Sequence, residues 1–182
     1  MLFRISPKSM LALLLAMSLG TVAHADTSCL GGPSTKFRLS GAVTTPKTFT
    51  PAILAGYRTS TATVSYFSGA SGLVTKTFVG VPLYDVINEA GVITDATRKN
   101  DLLRKYLAIN ATDCYQVIVA LAEIQPSFGG QQAMVAYAMV DAAGVVQPLD
   151  ETESALRLVM PGDKAGGRNV FHLNGIVVRS AP

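Results

Sequence analysis

The amino-acid sequence predicts one strand-rich α+β domain with two or three short helices, and three observations predict it. Short β-rich runs recur between turn signals from Lys36 to the C-terminus. Helical signals are confined to three brief stretches, near Pro51, Pro82 and Lys99. The 182 residues suit a single domain, and no repeat, linker or low-complexity tract divides them. Hydrophobic residues make up 49% of the chain, which excludes a disordered tail.

At the front, Arg4 and Lys8 precede an uncharged apolar run of 14 residues, Met10 to Ala23, followed by Ala23-His24-Ala25. A basic start, a short apolar core and small residues two apart predict a secretory signal peptide over 1–25, cleaved after Ala25. The run falls short of the roughly 20 residues that span a bilayer. A lipoprotein is the competing reading because Cys29 is near, but Asp26-Thr27-Ser28 makes a poor lipobox. Residues 26–35 then form an N-terminal segment and 36–182 the domain. Removing 25 of the 182 residues leaves 157, and taking Arg4 and Lys8 from 15 basic residues leaves 13 against 12 acidic ones. The basic pI of the precursor is therefore no argument for nucleic acid. Arg98-Lys99 and Arg104-Lys105 are separated pairs that predict a solvated face. The expected product is periplasmic or secreted, binds no nucleic acid, and is not membrane-inserted after cleavage.

Along the domain, Phe37 to Val43 alternates apolar and polar as a half-buried strand does. Thr44 to Lys47 turns the chain, and Thr50-Pro51 places an N-cap before a first-turn proline, opening a helix over Ala52 to Tyr57. Thr61 to Phe67 and Leu73 to Val79 form a hairpin about a longer loop, Ser68 to Gly72. Pro82 to Ala90 is a helix with Leu83, Val86, Ile87 and Ala90 on one face and Gly91 at its C-cap. Lys99 to Arg104 is a weaker helical stretch. Tyr106 to Ala111 and Tyr115 to Ala120 are strands, Ala133 to Val140 a buried strand, and Asp141 to Gly144 a turn. Leu156 to Met160 and Asn169 to Arg179 complete the strands, with a turn or bulge at Asn174-Gly175.

Groups able to do chemistry are few. Cleavage removes His24, so His172 is the remaining histidine, which excludes His-rich zinc sites and HExxH helices. Between Phe171 and Leu173, strand alternation places it on a polar face or lining a pocket. Cys29 and Cys114 make an even count in an oxidising compartment, so one disulfide is the leading reading. Two free thiols or a metal-binding thiolate are the alternatives. The loop Pro161 to Arg168 is glycine-rich and carries Lys164 and Arg168, so it either presents N–H groups to an anion or is a tight strand connection. Asp113, beside Tyr115, caps a turn or lines a cleft. Glu123 and the run Asp150-Glu151-Glu153 are expected to be solvated.

Four ordered motifs carry a resemblance. They are Leu39-Ser40-Gly41-Ala42-Val43 with Pro46 and Phe49-Thr50; Phe78 to Ile87 with Ala90-Gly91; Ala111-Thr112-Asp113-Cys114-Tyr115-Gln116-Val117; and Leu156 to Asp163 with Gly167-Arg168-Asn169-Val170. Together they resemble the oxidoreductase molybdopterin-binding domain, the sulfite-oxidase fold, in its small periplasmic single-domain form. The resemblance covers roughly 36–179 and implies a mixed α+β fold. In active members it implies a molybdenum held by a pterin dithiolene and one cysteine thiolate, a soft ligand suited to that metal. That thiolate follows the strand matching Thr61 to Phe67, just before a glycine. Here Phe67-Ser68-Gly69 stands there and no cysteine does, so no metal ligand is assigned. By resemblance, Asp113, Tyr115, Arg168 and His172 lie near the remnant pocket, and Lys164, Gly166 and Gly167 face an anionic group. The expectation is an exported, non-catalytic module binding a small anionic or pterin-like ligand, or a redox membrane partner. A molybdopterin-dependent oxidoreductase with atypical metal ligation is the alternative.

Overall fold

A computed structural model describes residues 29–182. The expected signal peptide lies outside the described residues, as do residues 26–28 of the N-terminal segment. The strand-rich α+β class is borne out: the described residues form ten strands, β1 to β10, in two sheets, with three short helices.

The first sheet runs β2-β1-β10-β5-β6, and its centre joins the two ends of the domain. β1 (Phe37–Gly41) pairs parallel with β10 (Leu173–Ser180), while β2 (Lys47–Phe49), β5 (Lys105–Ala111) and β6 (Gln116–Ala120) pair antiparallel. β10 is irregular between Leu173 and Gly175, which is the bulge expected at Asn174-Gly175. The second sheet runs β3-β4-β7-β8. β3 (Ser60–Ser68) and β4 (Gly72–Pro82) form the hairpin, with Ser68 opposite Gly72, so only three residues turn the chain. Gly72 sits at φ 71°, a conformation that an L side chain adopts at a cost and glycine adopts freely. β7 (Met134–Val140) takes β8 (Val146–Pro148) and β9 (Arg157–Val159) along successive stretches of its other edge.

Burial explains the arrangement. Phe37, Leu39, Leu107, Ile109, Ile176 and Val178 are buried on the first sheet against Val81, Val135 and Leu158 of the second. Helix α2 (Leu83–Ala90) closes this core with Leu83, Val86, Ile87 and Ala90, the face its period predicts. Each large aliphatic side chain so buried contributes about 1.5–3 kcal/mol. A smaller cluster, including Val64, Tyr66, Phe78 and Val159, lies within the second sheet. The outer face of the β3–β4 hairpin is polar, with Thr63 bonded to Thr77 and Ser65 to Thr75, both at 2.8 Å.

Four expectations change. The first helix, α1 (Pro51–Leu54), keeps its Thr50 cap, which accepts from the Ile53 N–H, but ends before Tyr57. The Lys99–Arg104 stretch is a 3-10 turn, Asp101–Arg104, and its basic pair is not a solvated face. Lys105 is buried on Asp101 at 2.9 Å, and Arg104 bonds Asp101 and the Ala181 carbonyl. Glu153 is buried rather than solvated, held by Arg157 and Lys76. The last strand begins at Leu173, not Asn169, because a 3-10 turn at Gly166–Arg168 and a positive φ at His172 keep 169–172 off the ladder. Strands β2 and β8 and helix α3 (Leu121–Ile124) have no sequence signal of their own.

Candidate functional site

Two segments build the site. The first is the β5–β6 turn. Asp113 Oδ1 accepts from the Tyr115 N–H at 2.9 Å, a side chain closing its own turn two residues on. The Ala111 N–H donates to the Tyr115 carbonyl at 2.9 Å, and Cys114 between them has φ 65°. The N-terminal segment straps this turn. Gly31 N–H donates to the Thr112 carbonyl at 3.2 Å, and the Thr112 hydroxyl donates to the Gly32 carbonyl at 2.6 Å. Cys29 and Cys114 form the expected disulfide, with 5.2 Å between their Cα atoms.

The second segment is the β9–β10 connection. Asn169, only 3% exposed, closes it by accepting from the Met160 N–H at 2.9 Å through Oδ1. Gly166 passes so close to Tyr66 that a Cβ there would lie 2.9 Å from its ring, a contact that only glycine avoids. Tyr115 spans the two segments, donating its hydroxyl to the Gly167 carbonyl at 2.7 Å.

Between them lies an open cleft of about 260 Å³, lined by Asp113, Tyr115, Gly166, Gly167, Asn169 and Phe171. Across the Gly166-Gly167 backbone a second hollow of about 430 Å³ is bounded by Tyr66, Phe67, Ser68 and Gly69. Tyr115, Phe67 and Phe171 leave much of their rings exposed around this pair of hollows. Behind Phe171, the fully buried Arg157 guanidinium lies 4.0 Å from that ring and 4.8 Å from the Phe78 ring. Burial pulls the Arg157 pKa below its usual value, and the Tyr66 hydroxyl opposes this.

Four sequence-derived site residues, Asp113, Tyr115, Gly166 and Gly167, thus meet in one cleft. The other three stand apart from its lining. Arg168 is committed to acids, with Nε and Nη2 on Asp163 at 2.8 and 2.7 Å and Nη1 on Glu123 at 2.9 Å. The Asp163 hydrogen bonds, aided by Glu123, raise its pKa further despite partial burial. The Lys164 side chain is exposed, and its backbone carbonyl accepts from the Phe67 N–H at 2.8 Å. His172 is not in strand alternation. It has φ 51°, its carbonyl accepts from the Thr112 N–H, and its buried Nδ1 has no partner. Asn169 and Phe171 are cleft residues that the sequence did not single out, because both fell within an expected strand.

These residues do not fit a molybdenum centre of the kind the resemblance implies. Both cysteines of the chain are in the disulfide, so neither supplies a thiolate. Phe67 and Ser68 offer no soft ligand at the matching strand end. No group of three or more His, Cys, Asp or Glu side chains clusters suitably among the described residues. Arg168, the guanidinium of the loop itself, is already paired with Glu123 and Asp163.

Comparison with protein-family models gives no match, and comparison with curated proteins gives none. Among solved structures, the chain is similar to the sulfane dehydrogenase SoxCD from Paracoccus pantotrophus, with a TM-score of 0.64 and 20% sequence identity. The likeness is one of fold. It covers 80% of this chain but 38% of that one, and it agrees with the sulfite-oxidase-like α+β architecture. Among the described residues, no helix is long and apolar enough to cross a membrane.

Proposed function

We propose that this chain is an exported, non-catalytic binding module on a sulfite-oxidase-like fold, taking a small ligand in the cleft between the Asp113–Tyr115 turn and the Gly166–Phe171 loop. One observation carries the reading. The chain has two cysteines, and the Cys29–Cys114 bond uses both. A thiolate-held metal therefore has no ligand, while the bond itself fastens one wall of the cleft. A disulfide also belongs to an oxidising compartment, which supports export through the 1–25 segment. Aromatic rims, glycine backbone and a few fixed polar groups are the usual makings of a small-molecule site.

The test is metal analysis with pterin fluorescence on protein purified, disulfide intact, from a host that makes molybdopterin. The expected result is molybdenum and pterin far below one equivalent. A molar equivalent of either overturns the binding-module reading in favour of an oxidoreductase with atypical metal ligation.

A further inference from the structure

Both sheets end in edge strands, and β3 is unlike the others. β2, β8 and β9 have three residues each, and β6 has five. β3 runs for nine, Ser60–Ser68, in unbroken register with β4. Folded proteins blunt an open strand edge with short length, a charged side chain, a proline, a bulge or a covering segment. β3 holds no charged residue, no proline and no glycine.

One end of that edge is covered. The Phe67 N–H donates outward to the Lys164 carbonyl at 2.8 Å, and Ala165 bridges Phe67 in parallel. Backbone groups alternate in direction along a paired strand. Thr61, Thr63 and Ser65 therefore point theirs to the same outer side as Phe67, while Ala62, Val64 and Tyr66 point theirs at β4. Among the described residues, the N–H and C=O groups of Thr61, Thr63 and Ser65 have no hydrogen-bond partner. All three residues are exposed.

From this we infer that β3 is a dimerisation edge, pairing antiparallel with β3 of a second copy of this chain about a two-fold axis between the two Thr63 residues. The open part of the edge sets the register. Centred on Thr63, Thr61 faces the second copy's Ser65, and each of the three facing pairs exchanges two N–H···O bonds. A centre at Ser65 sets Thr63 against Phe67, whose N–H is already taken by Lys164. A centre at Thr61 sets Thr63 against Thr59, which lies outside the strand. The edge is also complementary to itself. An antiparallel copy sets every free donor against a free acceptor, and β3 carries no charge to repel its copy. On the outer face hydroxyl meets hydroxyl, repeating the Thr63–Thr77 and Ser65–Thr75 pairs that β3 makes with β4 at 2.8 Å. A two-fold contact of this kind occupies both edges and closes, so it gives a discrete dimer rather than a filament. The dimer does not depend on what the cleft binds.

The test is sedimentation velocity on the disulfide-intact protein over a concentration series. The weight-average mass rises from one chain toward two between roughly 1 μM and 1 mM, the range of a small interface. Amide exchange reads the register. Protection of the Thr61, Thr63 and Ser65 N–H groups rises with concentration, while Ala62 and Val64 are protected throughout. Thr63→Lys sets like charges directly opposite each other and weakens the dimer about tenfold at low salt, with part of the loss restored at high salt. Thr63→Pro removes both central donors at a position whose N–H faces away from β4, and weakens the dimer at least about tenfold at any salt. Thr75→Lys adds the same charge to the same face one strand inward and leaves the dimer unchanged. Where Thr63→Pro fails to fold, Thr63→Lys decides, since Thr63 is exposed. A one-chain mass up to about 1 mM overturns the inference, whether the edge is left to solvent or to a different chain. A dimer that both Thr63 variants form as readily as the native chain overturns it too.

Discussion

Glu153 is the residue whose setting departs furthest from its local sequence. Asp150, Glu151 and Glu153 together look like a solvated acidic run, yet Glu153 is 3% exposed and Arg157 is fully buried. The reason is a partner 77 residues away. Lys76 reaches Glu153 from the neighbouring part of the sheet, and Arg157, four residues on, completes a two-cation site with one carboxylate. No period or motif in the sequence encodes a contact of that separation. Its energetics yield a prediction at the same scale. Glu153→Gln leaves the Arg157 cation buried without a carboxylate and is expected to cost about 3–5 kcal/mol. Arg157→Met leaves Glu153 still paired with Lys76 and lays a flexible apolar chain between Phe78 and Phe171, so it costs less. Urea unfolding at constant m checks the order of the two, and a larger loss for Arg157→Met contradicts it.

Among the elements, the N-terminal strap is tied most directly to the site. It meets the β5–β6 turn through two backbone carbonyls and the Cys29–Cys114 bond, and that turn carries Asp113 and Tyr115. Closing 85 residues of chain lowers the entropy of the unfolded state by about 4 kcal/mol in the chain-entropy model. Replacing both cysteines with serine is therefore expected to lower the unfolding free energy by that order, and the denaturation midpoint with it. Reductant is expected to do the same to the native protein and nothing further to the variant. An unchanged midpoint in the double variant would show the strap to be dispensable. This pairing was legible in the sequence from cysteine count alone. So were β3 to β7, as β-rich or apolar runs bounded by turn signals, and α2, whose eight residues display a period of 3.6. β2, β8 and α3 were not, because three or four residues display no period. The lower end of the cleft was missed for a related reason. Phe171 and Asn169 sit in an apolar run that looks continuous with β10, and only the left-handed turn at His172 separates them from it.

At the scale of the whole molecule, the parallel pairing of β1 with β10 fastens the N-terminal and C-terminal parts into one sheet, which local alternation could not disclose. The charged groups around that sheet set how the fold responds to pH. Asp101 holds the C-terminal end of β10 through Lys105, which also bonds Ser180 at 2.7 Å. The Asp95 N–H foremost, and then Lys105, keep the Asp101 carboxyl below its usual pKa. Thr97 does the same for Asp95, the Val145 N–H for Asp141, and Lys47 for Glu89. A carboxylate whose pKa is depressed by folding contributes stability that is complete above its unfolded value, near 4, and is lost as pH falls through the lower folded value. Lys47 shifts the other way, raised chiefly by Glu89, so its contribution is complete below about 10.5 and disappears at higher pH. The melting temperature is therefore expected to hold a plateau between about pH 5 and 10 and to fall on both sides. Asp101→Asn lowers that plateau, because Lys105 stays buried without its carboxylate. It also makes the acid limb shallower, because one depressed carboxyl no longer titrates. Melting curves from pH 2 to 7 on both proteins measure the difference, and parallel acid limbs would assign the acid sensitivity to the other three carboxylates.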